Sequence, residues 1–135
     1  MSVLVDTSVL SLALRRPRLN PPHSEELTRL LRTGSVALLG PIRQELLSGI
    51  RDRLSFERLR DQLRALLDHP LSISHYETAA EFFNLCRRRG VQGTATDFLL
   101  CAAGSIDDLP IYTTDRDFEL YATLLPIKLF HGSSS

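Results

Sequence analysis

The sequence predicts an α/β fold in which a central parallel sheet is flanked by helices. Short apolar runs alternate with longer stretches of helical periodicity along the 135-residue chain, and this alternation is typical of parallel sheets. At this length one domain is expected, and we predict it over residues 1–131, followed by a flexible tail at 132–135. Four carboxylates stand where such a fold would bring them to one edge of the sheet, namely Asp6, Glu45, Asp97 and Asp115.

The N-terminal part predicts a strand, a short helix, a loop and a second helix. The first strand covers about residues 2–5, and the helix after it runs to about Leu14. Residues 15–22 contain three prolines and predict a loop. Ser24, followed by two glutamates, predicts a capped helix start, and this helix extends to about Arg32.

The middle of the chain predicts a strand, two helices and a further short strand. Residues 35–39 are apolar and predict the second strand. Pro41 suits the first turn of the next helix, which carries Glu45. Apolar residues at helical spacing predict an amphipathic helix over 53–67, and residues 71–73 predict a third strand.

The C-terminal part predicts three helices and two strands. The second of these helices is apolar nearly all round after Asp97, so we expect it to be the centrally packed helix. The predicted elements are a helix over 75–89, a helix starting at Thr94 or Thr96, a strand over 109–113, a helix over 116–124 and a strand over 127–130.

The four carboxylates predict a site for a divalent cation. Asp6 closes the first strand and Asp115 follows the strand over 109–113, and ligand crevices form at the carboxyl ends of parallel strands. Glu45 and Asp97 each lie near the start of a predicted helix. Clustered carboxylates repel one another unless a hard cation such as Mg²⁺ or Mn²⁺ binds them. Metal-assisted cleavage of a phosphodiester is the expected use of such a site.

Each of these acids also has a structural explanation. Asp6 and Asp97 lie at predicted helix starts, where capping alone would account for them. Glu45 would be an exposed acid on a helix surface. Asp115 is next to Arg116 and would form an ion pair with it. Only the four acids taken together favour a shared metal site.

The bulk composition excludes several classes of protein. The formal net charge is zero, so no overall positive field attracts nucleic acid. No apolar run approaches the roughly 18 residues of a membrane span, and no signal peptide is recognised, so a cytoplasmic protein without a membrane partner is expected. Cys86 and Cys101 are predicted to be buried free thiols. The histidines have no H-x-x-H or H-x₃-H spacing, so a common zinc site is not expected.

Four segments occur in an order and spacing typical of one family. They are Val5-Asp6-Thr7-Ser8-Val9-Leu10, Pro41-Ile42-Arg43-Gln44-Glu45-Leu46-Leu47-Ser48-Gly49, Thr96-Asp97-Phe98-Leu99-Leu100-Cys101-Ala102-Ala103 and Ile111-Tyr112-Thr113-Thr114-Asp115-Arg116-Asp117-Phe118. Together they resemble PIN-domain ribonucleases, specifically the VapC-type toxins of bacterial toxin–antitoxin pairs. The resemblance implies a PIN-like three-layer sandwich, cleavage of RNA dependent on Mg²⁺ or Mn²⁺, a homodimer and a VapB-like antitoxin partner.

The resemblance also implies roles for individual residues. Thr113 matches the polar residue before the last acid, and Asp117 matches an additional acid that supports a ligand or binds a second metal ion. Thr7 is a candidate for orienting a ligand through a hydrogen bond, with helix capping as the alternative. Arg43 and Arg116 are candidates for substrate binding, with solvated salt bridges as the alternative. The implied catalytic acids, of which the three aspartates bind metal, are Asp6, Glu45, Asp97 and Asp115.

Two other functions remain open at this point. Aspartyl-phosphate enzymes also carry an aspartate after the first strand, but their phosphatase type needs D-x-D where this chain has Asp6-Thr7-Ser8. The two kinds of aspartyl-phosphate protein, receiver domains and haloacid-type phosphatases, both rely on a lysine, and Lys128 is the only lysine in the chain. The second alternative is a non-catalytic PIN-like scaffold that binds RNA or protein. The presence of all four acids argues against that alternative.

Overall fold

Three short parallel strands form the centre of the fold. The computed structural model describes residues 2–132. The first strand lies between the other two, and both pairings are parallel. Val5 pairs with Tyr112, so the carboxyl ends of the first and third strands lie side by side. The strands are β1 (Val3–Val5), β2 (Val36–Ala37) and β3 (Ile111–Tyr112).

Seven helices accompany these strands within residues 2–132, which confirms the predicted α/β class with helices around a parallel sheet. Two helices connect β1 to β2, and four connect β2 to β3. The helices are α1 (Thr7–Arg15), α2 (Pro21–Arg32), α3 (Gly40–Leu47), α4 (Arg53–Leu63), α5 (Ile73–Arg88), α6 (Ala95–Ile106) and α7 (Asp117–Leu124).

Helix α6 is the centrally packed helix, as predicted. All residues over 98–104 are buried, and burying one large apolar side chain stabilises a fold by about 1.5–3 kcal/mol. Gly104 allows close packing, because a Cβ atom there would lie 3.1 Å from both Ile111 Cδ1 and the Leu109 carbonyl oxygen. The rings of Phe98 and Phe83 meet edge to face with centroids 5.5 Å apart, which joins α6 to α5. Asp97 is therefore carried by the most firmly packed helix.

The predicted third strand at residues 71–73 is wrong. Ser72 is the N-cap of α5, and Ile73 is its first residue and 78% exposed. The Ser72 N–H donates to Nδ1 of His75 at 3.0 Å, which stabilises a helix start here. The strand partner of Leu38 is instead Asp68, through an isolated parallel bridge.

Several predicted boundaries also differ from the structure, including those of β2 and β3, which are shorter than predicted. Helix α2 begins at Pro21 rather than Ser24, because proline fits the first helical turn without losing a hydrogen bond. Helix α4 ends at Leu63 rather than at residue 67. The predicted final strand is only an isolated parallel bridge between Leu129 and Ile111.

Some further predictions concern single residues and the chain as a whole. Cys86 and Cys101 are buried free thiols, as predicted. Residues 133–135 of the predicted tail lie outside the described residues. Within residues 2–132, no helix combines the length and apolarity that crossing a membrane requires.

Candidate metal centre

Asp6 lies at the carboxyl end of β1 and is held by two hydroxyl groups. Its Oδ2 accepts hydrogen bonds from Ser8 Oγ at 2.9 Å and Thr113 Oγ1 at 2.8 Å. Asp6 is the N-cap residue of α1, yet its side chain makes no capping hydrogen bond, so capping does not explain it. The side chain is 7% exposed. Neutral donors satisfy a buried carboxylate without supplying an opposite charge, so these bonds do not compete with a cation for the charge of the carboxylate.

The loop after β3 is ordered by the same hydroxyls. Ser8 Oγ accepts a hydrogen bond from the Thr114 N–H at 3.0 Å, and Thr113 Oγ1 accepts one from the Asp115 N–H at 3.0 Å. Asp115 Oδ1 in turn accepts one from the Asp117 N–H at 2.9 Å. These bonds place Asp115 beside the end of β1, where the sequence predicts it.

Glu45 reaches the same end of the sheet through Thr7. Thr7 Oγ1 donates to Glu45 Oε1 at 3.0 Å, and Thr7 directly follows Asp6. Glu45 is the sixth of eight residues in α3, so it does not lie near the helix start as predicted. It is exposed, as the surface-acid explanation requires. That explanation does not account for its hydrogen bond to a residue 38 positions away.

Asp97 caps α6 and also faces the other acids. Its Oδ2 accepts hydrogen bonds from the Thr94 N–H at 3.3 Å and the Tyr121 hydroxyl at 3.0 Å. Burial raises the pKa of Asp97, the hydrogen bonds from Thr94 and Tyr121 oppose the rise, and the charge of Asp6 adds to it. The negative charges of Asp6 and Asp97 therefore lie close enough to repel one another.

The Tyr121 hydroxyl is exposed to the charges of three acids. Burial raises the pKa of this hydroxyl, and so do the charge and hydrogen bond of Asp97 and the charges of Asp117 and Asp115. Charge effects weaken with distance, so the charges of Asp97, Asp115 and Asp117 all act on this one hydroxyl. Tyr121 was missed at the sequence level, because a tyrosine in a helix reads as an ordinary core residue.

The four predicted acids share one hydrogen-bonding pattern. Within residues 2–132, each has one oxygen bonded to a protein donor and a second oxygen that no protein donor reaches. No arginine or lysine of that range forms an ion pair with any of them. Within residues 2–132, every buried side-chain nitrogen or oxygen atom has a hydrogen-bond partner. The second oxygens of the acids have none, so they are not buried and reach solvent. This set of free carboxylate oxygens fits a hard divalent cation.

The acids are nevertheless not drawn tightly together. In the described part of the chain, no three of them present oxygens that all lie within 4.8 Å of one another. Mg²⁺ usually keeps several water molecules when it binds to one or two carboxylates. The open spacing therefore suits a cation that water molecules help to coordinate.

The two candidate substrate-binding arginines differ in their surroundings. The Arg43 guanidinium donates to the carbonyl oxygens of Leu63 at 2.9 Å and Leu66 at 2.7 Å, and it also binds Asp68. These contacts place Arg43 at the C-terminal end of α4, where cations stabilise a helix. Arg116 is exposed at the start of α7 and makes no ion pair within residues 2–132.

A cluster of two histidines and an aspartate lies elsewhere in the fold. His69 Nε2 and His75 Nε2 lie 2.7 and 2.8 Å from Asp107 Oδ2. The Ser72 N–H donates to Nδ1 of His75, so the proton of that ring is on Nε2 and is donated to Asp107. A metal ion would need that same nitrogen unprotonated. We therefore interpret this group as a hydrogen-bonded clasp between α5 and α6, and no motif spacing in the sequence indicates it.

Lys128 is not part of the acidic site. Its Nζ lies 2.7 Å from Asp108 Oδ1. Asp108 precedes β3, whereas Thr113 and Asp115 follow it. The only lysine therefore pairs with an acid at the opposite end of that strand, which argues against aspartyl-phosphate chemistry.

Comparison with known families now identifies the fold. Residues 3–124 match the family model described as the PIN domain. The chain belongs to the PIN domain family. This confirms the family that the sequence resemblance indicates. Among proteins of curated function, none matches this PIN domain in sequence.

Several solved structures have the same fold as this chain. VapBC2 from Rickettsia felis, bound to a promoter DNA fragment, has a TM-score of 0.79 at 14% identity, covering 98% of this chain and 100% of that chain. DNA-bound VapBC from Salmonella typhimurium has a TM-score of 0.76 at 16% identity, covering 96% of this chain and 97% of that chain. FitAcB from Neisseria gonorrhoeae has a TM-score of 0.72 at 19% identity, covering 96% of each chain. At these identities the likeness is one of fold.

Proposed function

We propose that this PIN domain is an endoribonuclease dependent on Mg²⁺ or Mn²⁺ and the toxin of a toxin–antitoxin pair. The observation that carries the proposal is the pattern at the acids, each of which has one oxygen bonded to protein and one free. No positive side chain of the described range neutralises them, so the site is built for a cation. The fold similarity to chains of VapBC and FitAcB supports the toxin assignment. An RNA substrate implies action in the cytoplasm.

The residues of this chain would divide the work as follows. A divalent cation, when bound, lowers the pKa of a coordinated water and neutralises charge on the scissile phosphate. Asp6, Asp97 and Asp115 would hold it through their free oxygens. Glu45, exposed and fixed by Thr7, would orient the attacking water by accepting a hydrogen bond. Hydrolysis without a covalent intermediate would leave 5′-phosphate and 3′-hydroxyl ends.

An apolar groove supports the proposed antitoxin partner. It lies between α1, α2 and the segment after α4, and its volume is about 430 Å³. Leu31 and Leu67 line it and are 39% and 87% exposed. An amphipathic segment of a VapB-like antitoxin would cover these side chains. A lysine or arginine of the same antitoxin would pair with the acids and block metal and substrate.

A second apolar surface supports the proposed homodimer. Residues of α5 and α6 and the start of α3 line a hollow of about 490 Å³. Tyr76 on its rim is 54% exposed, and Phe83 and Ala80 form its wall. A second copy of the chain would bury this surface. Changing Ala80 to arginine should shift a dimer toward monomer in analytical ultracentrifugation, whereas changing Glu81, which lies outside the hollow, should not.

The direct test of the proposed function is cleavage of RNA by the purified chain. With Mg²⁺ or Mn²⁺ the wild type should cut RNA to 5′-phosphate ends, and EDTA should stop it. Asp6→Asn and Asp115→Asn should each lower the cleavage rate by about 100-fold or more. A loss of about 100-fold is the most that is typical when a residue only supports a metal ligand, and direct ligands should cost at least that much. Asp61→Asn is the matched control, since Asp61 is exposed and pairs with Arg60.

Each alternative function predicts a different result in this test. Full activity of both variants would exclude the acidic site. A wild type that binds RNA without cutting it would support the scaffold alternative. Labelling of Asp6 by a phosphoryl donor would support aspartyl-phosphate chemistry.

A further inference from the structure

The two oxygens of Asp97 have different surroundings. Oδ2 accepts hydrogen bonds from the Tyr121 hydroxyl at 3.0 Å and the Thr94 N–H at 3.3 Å. No donor in the described range reaches Oδ1. The hydroxyl also lies 3.3 Å from the carbonyl oxygen of Gln92, but the charged carboxylate is nearer and is the stronger acceptor. Tyr121 thus fixes which oxygen of Asp97 is available to a ligand.

Tyr121 is itself held firmly in place. Its side chain is completely buried. Its ring contacts those of Phe98 and Phe118, each at 5.0 Å between centroids. Tyr121 belongs to α7 and Asp97 to α6, so the hydrogen bond crosses between two helices. A donor on a rigid ring loses little conformational freedom in making this bond.

Gly93 supplies the space that the hydroxyl occupies. A Cβ atom at Gly93 would overlap the Tyr121 hydroxyl and would lie 2.9 Å from Tyr121 Cζ. It would also lie 3.0 Å from Phe98 Cε2. The backbone of Gly93 has no positive φ angle, so conformation does not require glycine there. The close approach of the Tyr121 hydroxyl is what requires glycine at this position.

We propose that Tyr121 is a positioning residue for the metal ligand Asp97, and that Gly93 is required because it admits the Tyr121 hydroxyl. This inference rests on the proposed function, which makes Asp97 a ligand. A neutral donor suits the task, because it orients the carboxylate without cancelling the charge that attracts the cation. An arginine or lysine in its place would compete with the metal.

The test is the dissociation constant for Mn²⁺, measured by isothermal titration calorimetry without RNA. Tyr121→Phe removes only the hydroxyl and should raise the constant about 10-fold, as is typical when a group that orients a metal ligand is lost. Tyr112→Phe is the matched control. Tyr112 is also buried, and its hydroxyl bonds His23 Nδ1 at 2.8 Å rather than one of the four acids. The Mn²⁺ dissociation constant of this control should stay within about two-fold of the wild-type value.

A double-mutant cycle tests the pairing with Gly93. Gly93→Ala alone should also raise the Mn²⁺ dissociation constant, because the added Cβ displaces the hydroxyl from Asp97. In the Tyr121→Phe background the same substitution should raise the Mn²⁺ dissociation constant little further, since the hydroxyl that orients Asp97 is already gone, even though the ring atoms near Gly93 must still shift. Residues that act through one contact are non-additive in this way. If circular dichroism shows that Tyr121→Phe is unfolded, the Mn²⁺ dissociation constant of folded Gly93→Ala tests the positioning role instead.

The results separate this inference from the proposed function. If wild type binds Mn²⁺, Asp97→Asn does not, and Tyr121→Phe matches wild type, the positioning role is overturned while the metal site stands. If wild type itself shows no saturable binding of Mn²⁺, the proposed function fails, and this inference is overturned with it. A 10-fold effect confined to Tyr121→Phe and Gly93→Ala supports the positioning role.

Discussion

Arg43 donates two hydrogen bonds to one oxygen of Asp68, from Nε at 3.0 Å and from Nη2 at 2.8 Å. Asp68 also forms the parallel bridge with Leu38 that extends the sheet beyond β2. Arg43 thereby ties α3 to both the end of α4 and the edge of the sheet. Its donors serve the fold, and we leave it out of the proposed contacts with RNA.

Replacing Arg43 by lysine should therefore lower stability and leave RNA affinity unchanged. One ammonium group cannot reproduce the planar fork that serves two carbonyl oxygens and a carboxylate. We expect a loss of about 1–3 kcal/mol in the free energy of unfolding, measured by urea denaturation. Arg116→Lys should leave stability unchanged. A variant of Arg43 with normal stability and weak RNA binding would restore its role at the substrate.

Divalent cations should raise the melting temperature of the chain. Binding only to the folded state stabilises it by about 2.7 kcal/mol when the metal concentration is 100 times the dissociation constant. The shift should appear with Mg²⁺ and Mn²⁺ in differential scanning calorimetry. Asp97→Asn should reduce it, whereas Asp61→Asn should retain it. A melting temperature that stays constant through the millimolar range would contradict a carboxylate metal site.

The clasp at Asp107 should make stability depend on acid pH. Partial burial alone would raise the pKa of Asp107, but the hydrogen bonds with His69 and His75 outweigh it and hold the pKa low. A carboxyl with a lowered pKa stabilises the fold above its ordinary value near pH 4, and this contribution disappears as pH falls below it. Asp107→Asn should lose about 1–3 kcal/mol at pH 7, and less than that at pH 3.

The control for this experiment is the neighbouring residue Asp108. Its side chain is 83% exposed and pairs with Lys128 on the surface. Asp108→Asn should change stability little at any pH, because exposed ion pairs contribute little. Urea denaturation from pH 3 to 8 compares the two variants. If Asp107→Asn lowers the free energy of unfolding as much at pH 3 as at pH 7, the charge of Asp107 is not the source of the lost stability.

Glutamate in the apolar groove should block the antitoxin. Leu31→Glu and Leu67→Glu place a charge where the proposed apolar segment binds, and each should weaken binding at least about ten-fold, or about 1.4 kcal/mol. Leu54→Glu is the matched control, because Leu54 is 62% exposed but lies outside the groove. Expression of the wild type alone should slow bacterial growth, and coexpression of its cognate antitoxin should restore growth for the wild type and the control only. Rescue of all three variants would place the antitoxin elsewhere.

The positions of the acids were predictable because strand ends are visible in sequence. The apolar run before Asp6 and the one before Thr113 mark two buried parallel strands, and parallel strands bring their carboxyl ends together. The depth of Glu45 within α3 was not predictable in the same way. An α-helix completes one turn every 3.6 residues. An error of one or two residues in the predicted start of α3 therefore changes the direction in which the Glu45 side chain is expected to point.

The groups that support the acids were beyond sequence reasoning. The bond between Tyr121 and Asp97 depends on how α7 packs on α6, and nothing in the periodicity of either helix specifies a hydroxyl contact. The clasp at Asp107 likewise joins residues 38 and 32 positions apart. The short run at residues 71–73 wrongly predicts a strand, because so few apolar residues cannot distinguish a strand from a helix start. Capping by Ser72 decides in favour of the helix.

Asp6 is bonded to Thr113 across 107 positions of sequence. This separation has a consequence for synthesis on the ribosome. The central strand β1 emerges first, but the partner that completes its site emerges only when most of the chain has been made. Contacts of such long range form late, because closing the intervening loop is entropically costly. A nascent chain would thus lack the assembled acids until translation is nearly finished, so the proposed nuclease would be inactive while still attached to its own messenger RNA.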